Sequence, residues 1–462
     1  MYRVKVDGKE ILVNRTRVSA YPINRVWQGM QRPLDQTEEA YFVSFDLDSG
    51  VAELEITVDD GFESFELRPL AIGLSAATNG NTISLMLKKP LQFTVEVDGH
   101  HHALHVFANP PAKKPEGDLL YFGKGEHDAG LIWLESNQTL YLEEGAVVYG
   151  VIFAKDAENI KVMGRGVLNS SPYRRGNDDG RGGQEVRDAL AKRGLSQKDI
   201  SYSGSLVLYH CKNVLIEGVT LIDSMFWTLI VRNRCRDITI DNIKIVGQWR
   251  YNSDGIDICN SQNILVKNSF IRSFDDCIVA RGAYLDGEYG SLENVRVENC
   301  VLWCDWGIAL EIWCGDKDTQ VRNIVFEKNY IIRLSMCAID IRTWFGSPDI
   351  LVEDVLYKDI YIDPEGAYAT PVFGSQMEEV CGAPSGYRPH LLTIIADKLG
   401  KNLGNQAFEP EKPEGRFHLL YRNITLDHIV YTGAPLPVRI EEQEGILEIQ
   451  NVTVAQSDCI TL

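Results

Sequence analysis

The chain has 462 residues, of which 44% are hydrophobic, so it can bury one large core or stack many small repeats. Its formal net charge is −19, from 65 acidic and 46 basic residues, and this excess of negative charge opposes binding to nucleic acid or to anionic membranes. No run of 18 apolar residues predicts a transmembrane helix.

The N-terminus and the cysteines both bear on the cellular compartment. The first residues lack the basic and apolar regions of a secretory signal peptide. The ten cysteines show no C-x-x-C pair, and Cys259, Cys277, Cys300 and Cys337 fall within apolar strand patterns, where a thiol behaves as a small buried hydrophobe. We therefore expect reduced thiols and a cytoplasmic protein, although a secreted chain trimmed of its signal would have the same sequence.

Residues 1–115 contain a series of short strands. Alternating segments such as YRVKVDG and AYFVSFDL are separated by Asp-Gly, Asn-Gly-Asn and Lys-Pro turns, which predicts an antiparallel β-sandwich domain. Four histidines lie within residues 100–105, but they lack the spacing of a zinc site, so we predict no metal there. A Pro- and Lys-rich linker follows over residues 108–118.

Residues 116–462 contain a repeat of alternating apolar and polar residues. Each segment opens with Asn or Asp, which suits a tight bend because these residues tolerate the left-handed conformation. Consecutive openings from Asn213 to Asp354 are 24, 26, 31, 29 and 31 residues apart. A repeat of this length that contains strands predicts a right-handed parallel β-helix. The segments open at Asn159, Asn213, Asp237, Asn263, Asn294, Asn323, Asp354 and Asn423.

Two segments interrupt the repeat. Residues 171–204 include a predicted short helix at Gln184–Arg193, and residues 364–416 form a longer segment that contains Gly and Pro. Insertions in a solenoid usually project from one face and often border the binding groove. We therefore expect both segments to lie beside the active site.

Two acidic clusters stand close together within the repeat. They are N-S-D-G at residues 252–255 and D-D-C at residues 275–277. Asp276 follows Asp254 by 22 residues, about one coil, so the two clusters should lie beside each other on one wall. Carboxyl groups brought together in this way are what acid–base cleavage of a glycosidic bond requires.

Further acidic and aromatic residues extend this ladder. Asp305 follows Asp276 by 29 residues, and Asp340 follows Asp305 by 35, spacings that fit one coil each if the turns vary in length. An acidic strip edged by tryptophans suits a sugar, because carboxylates perform acid–base chemistry and aromatic faces stack on pyranose rings. The candidate substrate-binding residues are Asp305, Trp306, Glu311, Asp340, Arg342, Trp344 and Arg281.

The ordered motifs N-S-D-G-I-D, D-D-C-I, D-W-G-I-A-L and I-R-T-W carry a resemblance to a known family. They resemble the N-T-D, D-D, G-H-G and R-I-K motifs of glycoside hydrolase family 28, the polygalacturonase family, which has a pectin-lyase-like β-helix. The resemblance implies that Asp275 is the general acid, and that Asp254 and Asp276 activate the attacking water, with inversion at the anomeric carbon. It implies no cofactor and no metal.

Departures from the family pattern concern the substrate. Trp306 stands where the family has a histidine, and Asp340 and Arg342 stand where it has the arginine and lysine that grip a uronate carboxylate. Glu311 adds further negative charge. A neutral sugar, such as a dextran-type glucan, is therefore at least as consistent as a polyuronide. The N-terminal β-sandwich also resembles the layout of family 49, which includes dextranase and isopullulanase.

Two other functions are compatible with this fold. Calcium-dependent polysaccharide lyases bind Ca²⁺ with clustered carboxylates and use an arginine or lysine as base, for which Arg281 and Arg342 are candidates. A carbohydrate-binding solenoid without activity would use Asp254, Asp275 and Asp276 only as bend residues. In each case the expected partner is a carbohydrate, not nucleic acid or a membrane. The oligomeric state is left open, since β-helix walls often self-associate.

Overall fold

The computed structural model describes residues 2–20, 34–48, 50–173, 183–195, 204–282, 290–315, 319–344, 349–364, 389–397 and 418–461. Among these residues there is one α-helix, α1 (Gly183–Lys192), which confirms the short helix predicted in the first insertion. The second predicted insertion lies almost entirely outside the described residues. No helix of the described chain is both long and apolar enough to cross a bilayer.

The N-terminal region is a sandwich of two five-stranded sheets. In spatial order, the first contains β2 (Lys9–Ile11), β1 (Tyr2–Val6), β5 (Ala52–Val58), β8 (Thr82–Leu87) and β7 (Ala77–Asn79). The second contains β3 (Asn14–Ser19), β4 (Thr37–Asp46), β10 (Leu104–Asn109), β9 (Leu91–Val97) and β6 (Phe65–Arg68). All these strands pair antiparallel except β4 and β10, which are parallel. The predicted antiparallel sandwich is therefore confirmed apart from this one pair. Short 3-10 helices occupy Leu34–Gln36 and Leu70–Ile72.

From Leu120 onward, 27 described strands form one continuous parallel sheet that winds into a β-helix with three walls, as predicted. The first wall contains β11 (Leu120–Phe122), β13 (Thr139–Leu142), β15 (Glu158–Gly164), β18 (Lys212–Glu217), β21 (Arg236–Asp241), β24 (Gln262–Lys267), β27 (Leu292–Glu298), β30 (Thr319–Glu327), β33 (Asp349–Ile362), β35 (His418–Tyr431) and β37 (Leu447–Ala455). The second contains β12 (Gly125–Leu134), β14 (Ala146–Lys155), β16 (Val167–Asn169), β19 (Thr220–Ile222), β22 (Lys244–Val246), β25 (Phe270–Ser273), β28 (Val301–Cys304) and β31 (Tyr330–Arg333). The third continues from the end of β14 through β17 (Leu206–Tyr209), β20 (Leu229–Arg232), β23 (Ile256–Cys259), β26 (Ile278–Gly282), β29 (Ile308–Cys314), β32 (Cys337–Trp344), β34 (His390–Asp397) and β36 (Val438–Ile440).

A ladder of Asn and Asp side chains accounts for the repeat in the sequence. All eight predicted segment openings have positive φ, from 53° at Asn323 to 59° at Asp237 and Asn263. Asn263 Nδ2 donates to Asp237 Oδ1 at 2.8 Å, and Asn294 Nδ2 donates to Asn263 Oδ1 at 3.0 Å. Each coil therefore has a residue that tolerates the left-handed bend and also hydrogen bonds to the neighbouring coil.

The N-terminal sandwich packs against the second wall of the β-helix. Phe42 and Phe107 of the second sheet join Phe270, Val301 and Trp303 of the β-helix in a buried apolar cluster. The ring centroids of Phe107 and Phe270 are 5.2 Å apart, within the range of a favourable aromatic contact. The third wall lies outside this contact.

Buried charges also cross the domain junction. Arg68 of the sandwich is fully buried, and its Nε and Nη1 atoms lie 2.9 Å from Glu96 Oε2 and 3.0 Å from Asp363 Oδ2. Glu96 also accepts a hydrogen bond from Arg333 Nε of the second wall at 3.0 Å. These paired charges fix the sandwich against the β-helix, because separating them would leave charges buried without partners.

Candidate active site

The three predicted catalytic aspartates lie where the chain turns from the second wall into the third. Asp254 precedes β23, and Asp275 and Asp276 precede β26. Gly255 N donates to Asp276 O at 2.8 Å, and the register of β23 with β26 places Asp254 beside Asp276 in the next coil. The structure thus brings the two acidic clusters together in the register that their spacing predicted.

Gly307 lies where the carboxyl groups of Asp275 and Asp276 converge. A Cβ atom at residue 307 would lie 2.6 Å from Asp276 Oδ1 and 2.8 Å from Asp275 Oδ1, closer than real Cβ atoms approach. Gly307 also has a φ of +125°, a conformation that residues with a side chain rarely adopt. Both carboxyl groups therefore point into one small space against the backbone of the following coil, and glycine keeps that space open.

The three carboxyl groups differ in exposure and in hydrogen bonding. Asp254 and Asp275 are 2% and 9% exposed, whereas Asp276 is partly exposed. Asp276 Oδ1 accepts a hydrogen bond from Ile308 N at 2.7 Å, and Asp275 Oδ2 accepts one from Asn252 Nδ2 at 3.3 Å. Asp254 Oδ1 has no hydrogen-bond partner among the described residues. These differences give the three acids different tendencies to hold a proton.

Burial and mutual repulsion raise the pKa values of the cluster. Burial, followed by the charges of Asp276 and Asp257, raises the pKa of Asp275 well above its usual range. Burial and then the charge of Asp257 raise the pKa of Asp254 in the same way. Burial also raises the pKa of Asp276, but Arg281 and the neighbouring backbone N–H oppose this rise. Because closely spaced carboxylates cannot all ionise, the cluster retains a proton that an acid catalyst can donate.

The outer face of the third wall carries two columns of side chains. Successive residues of a strand point to opposite faces, and residues such as Ile256, Leu310 and Ile339 enter the core of the β-helix. Their neighbours in sequence therefore face outward and stack from coil to coil. The first column contains Asp257, Val279, Glu311 and Asp340, and the second contains Cys259, Arg281, Trp313 and Arg342.

Arg281 is enclosed by aromatic rings and carboxylates. Its guanidinium carbon lies 4.5 Å from the ring centroid of Trp227 and 4.6 Å from that of Trp313. Its Nη2 atom lies 3.1 Å from Asp257 Oδ1 and 3.9 Å from Asp254 Oδ2. Burial raises the pKa of Asp257 to about 7, and Arg281 opposes that rise. Arg281 thus supplies positive charge beside the catalytic cluster.

Asp340 and Arg342, both predicted to bind substrate, bind each other in this structure. Arg342 Nε and Nη2 donate to Asp340 Oδ2 and Oδ1 at 2.7 and 2.9 Å. Asp340 also accepts a hydrogen bond from the Thr393 hydroxyl, and it is fully buried. The Arg342 guanidinium is therefore already neutralised by a bidentate carboxylate.

Asp305 does not lie on this wall, so its predicted place in the ladder above Asp276 was wrong. Asp305 N donates to Ser273 O at 3.0 Å, which pairs it with the end of β25. Its carboxylate lies 3.3 Å from Arg272 Nε and accepts a hydrogen bond from Trp303 Nε1 at 2.7 Å. Arg272 in turn contacts the sandwich, so Asp305 is an ion-pair partner at the domain junction and not a substrate contact.

The remaining predicted residues differ in what the structure shows of them. Trp306 is 3% exposed, so its ring presents no open face to a sugar. The side chain of Trp344 lies outside the described residues. Sequence reasoning missed Asp257 and Gly307, although both lie within the motifs N-S-D-G-I-D and D-W-G-I-A-L. The alternation within β23 is the signal that could have placed Asp257 on the outer face.

The histidines near the end of the sandwich have other partners. His101 Nδ1 lies 2.6 Å from Glu38 Oε2, and the buried His105 Nδ1 lies 2.8 Å from Thr94 Oγ1. Among the described residues, no group of three His, Cys, Asp or Glu side chains is arranged to hold a metal ion.

Comparison with known proteins agrees with this geometry. The sequence matches the profile of Glycosyl hydrolases family 28 over residues 125–372, more than half of the chain. The chain belongs to glycoside hydrolase family 28. An exopolygalacturonase of Oenothera organensis is 27% identical over 261 residues, which cover 55% of this chain and 67% of the relative. A probable polygalacturonase of Arabidopsis thaliana is 25% identical over 181 residues, which cover 38% of each chain. The chain thus spans between about two fifths and two thirds of the length of these relatives.

Solved structures share the architecture of this family 28 member. Dex49A from Penicillium minioluteum superposes with a TM-score of 0.57 at 14% identity, over 99% of this chain and 89% of that chain. A hyperthermoactive exopolygalacturonase from Thermotoga maritima superposes with a TM-score of 0.50 at 18% identity, over 73% and 79%. At these identities the likeness establishes the fold alone. The coverage by Dex49A includes the N-terminal sandwich, which agrees with the predicted family 49-like layout.

Proposed function

We propose that this polygalacturonase-like protein is an inverting glycoside hydrolase in which three aspartates perform the chemistry. The observation that carries the proposal is the convergence of Asp275 and Asp276 on Gly307, with Asp254 beside them in the preceding coil. Acid–base cleavage of a glycosidic bond needs one protonated carboxyl group and one carboxylate on opposite sides of the scissile bond. This cluster contains both kinds of group within one small space.

The proposed roles follow from the surroundings of each acid. Asp275 is nearly buried beside other acids and holds a proton, which it donates to the glycosidic oxygen as the C1–O bond breaks. Asp276 is more exposed and accepts a backbone hydrogen bond that favours its charged form. Together with Asp254 it takes a proton from a water that attacks the anomeric carbon from the opposite face. The configuration at that carbon is therefore inverted.

The charges of the wall support a neutral sugar as substrate. The two arginines of the outer column, Arg281 and Arg342, are each paired with a carboxylate, Asp257 and Asp340 respectively. Glu311 adds a further acidic group to the same wall. A uronate would bring another negative charge to this acidic surface, whereas a neutral glucan brings only hydroxyl groups. We therefore propose a neutral oligosaccharide, such as a dextran-type glucan.

A product assay tests the proposal. Purified protein is incubated with neutral glucan and polygalacturonate oligosaccharides, with and without chelator, and the anomer first released is identified by NMR. Turnover of the neutral substrate with inversion, insensitive to chelator, is expected. Asp275→Asn should lower kcat by about 10²–10⁴-fold, the usual contribution of a general acid. The control Asp354→Asn, which places asparagine in the bend ladder as most other coils do, should keep kcat within about twofold of wild type.

Other outcomes would assign other functions. An unsaturated product that disappears on chelation would show a calcium-dependent lyase. Cleavage of polygalacturonate alone would keep the hydrolase and overturn the neutral substrate. Binding without turnover, unchanged by Asp275→Asn, would indicate a carbohydrate-binding solenoid.

A further inference from the structure

We propose that Glu311 is a positioning residue for Asp276. In this assignment Glu311 is protonated, and its carboxyl group donates a hydrogen bond that holds the Asp276 carboxylate charged and oriented toward water. The inference deepens the proposed hydrolase and rests on it for its catalytic consequence.

The contact between two carboxyl groups carries the inference. The side chains of Glu311 and Asp276 are hydrogen bonded, although they come from different coils of the third wall. An ionised carboxylate can only accept hydrogen bonds, so one member of such a pair must hold a proton. The pair therefore acts as one donor and one acceptor.

The surroundings assign the proton to Glu311. Asp276 already accepts the Ile308 N–H at 2.7 Å, and this bond favours its charged form. Glu311 is only 3% exposed, and its Oε2 atom has no hydrogen-bond partner among the described residues. Burial, followed by the charge of Asp276, raises the pKa of Glu311 well above its usual range.

The other charged groups around the pair do not reverse this assignment. Arg281 and Arg342 lower the pKa values of both acids, whereas Asp340, one coil beyond Glu311, raises the pKa of Glu311. The charged groups that face the pair are Arg281, Arg342, Asp254, Asp257, Asp275 and Asp340. With more acids than arginines on this wall, a proton on the most enclosed acid reduces the repulsion among the others.

The consequence concerns the acidic limb of the pH–rate profile, where the base becomes protonated. Without the Glu311 donor, Asp276 would hold its proton to a higher pH, and the base would be lost earlier as the pH falls. Two or three hydrogen bonds lower a carboxylate pKa by about two units, so loss of one should move the limb by about one pH unit.

The experiment compares Glu311→Leu with Glu311→Gln. Leucine removes the donor, whereas the glutamine amide still donates to Asp276 but cannot ionise. We expect the acidic limb of kcat to move up by about one pH unit in Glu311→Leu and by less than about 0.3 unit in Glu311→Gln, with little change in KM. Glu353→Gln alters a glutamate that pairs with Arg422 on the first wall and serves as the matched control, with an unshifted limb.

A second measurement does not depend on turnover. In protein labelled with ¹³C at the glutamate side-chain carboxyl, the signal absent from Glu311→Gln identifies Glu311, and it should have the chemical shift of a protonated acid at pH 6. An ionised Glu311 at that pH would overturn the inference, whatever the substrate. An unshifted limb in Glu311→Leu, or equal shifts in the two variants, would also overturn it. Absence of turnover in the wild type together with a protonated Glu311 would instead count against the proposed hydrolase.

Discussion

The clearest prediction concerns Gly307, because two independent features require glycine there. The added Cβ of Gly307→Ala would lie 2.6 Å from Asp276 Oδ1, 2.8 Å from Asp275 Oδ1 and 2.8 Å from Asp276 N. Ordinary van der Waals contact begins beyond about 3.4 Å, so the two carboxyl groups or the backbone of β29 must shift by roughly 0.5–1 Å. Displacements of about 1 Å at a catalytic group can lower the rate by about 10²-fold.

A matched control separates this contact from backbone strain. Gly125 has a φ of +120°, close to the +125° of Gly307, but a Cβ atom there would meet nothing within 4 Å. Both alanine variants should therefore lose about 1–3 kcal/mol of unfolding free energy through the unfavourable φ. Gly307→Ala alone should lose a further 1–3 kcal/mol, approximately, through overpacking, and most of its activity.

The assay measures kcat, KM and urea unfolding for wild type, Gly307→Ala and Gly125→Ala on the sugar found in the product assay. We expect a fall in kcat of about 10²-fold in Gly307→Ala and of less than about threefold in Gly125→Ala. If the two variants had equal kcat values, the convergence of Asp275 and Asp276 at Gly307 would not be the catalytic arrangement, and the reasoning would be refuted.

Three further predictions concern stability. The pKa of Asp257 is raised to about 7 in the folded protein, so the folded state binds more protons than the unfolded chain between about pH 4 and 7. Wild type should therefore lose up to about 4 kcal/mol relative to Asp257→Asn as the pH rises through that window, and parallel denaturant curves would contradict this. Arg68→Met leaves Glu96 and Asp363 with a lost partner and should cost about 3–5 kcal/mol in calorimetry, whereas a change below about 1 kcal/mol would show that the junction relaxes. Asn263→Ala should cost about 2–3 kcal/mol and Asn263→Gly less, since glycine keeps the left-handed bend; equal losses in chemical denaturation would assign the effect to hydrogen bonding alone.

The β-helix could be predicted because its determinants are local. An Asn or Asp such as Asn263 opens each coil, since the bend there requires positive φ, and this requirement leaves a visible period in the sequence. The alternation within each strand likewise reflects one face in the core and one outside. The first two acidic clusters were placed correctly because no insertion separates them, and the 22-residue offset is the same in β23 and β26.

The rest of the site depends on turn lengths that a pattern does not show. β26 and β29 pair with an offset of 32 residues, as Ile278 lies opposite Leu310, and β29 and β32 pair with an offset of 29, as Leu310 lies opposite Ile339. The predicted ladder used 29 and then 35, which placed Asp305 on the wrong wall. Contacts between distant segments, such as Arg68 with Asp363, also leave no periodic signal in the sequence.

The paired arginines provide a physical basis for discrimination between neutral and acidic sugars. A uronate carboxylate could bind Arg342 only by competing with Asp340, which already accepts two hydrogen bonds from it at 2.7 and 2.9 Å. Removing one partner from a buried ion pair costs about 3–5 kcal/mol, and the displaced Asp340 is fully buried. A uronate must recover that energy, which corresponds to about 10²–10³·⁵-fold in affinity, before it binds as well as a neutral sugar. If Asp340→Asn selectively increased kcat/KM for acidic oligosaccharides, the carboxylate of Asp340 would be identified as the group that excludes them.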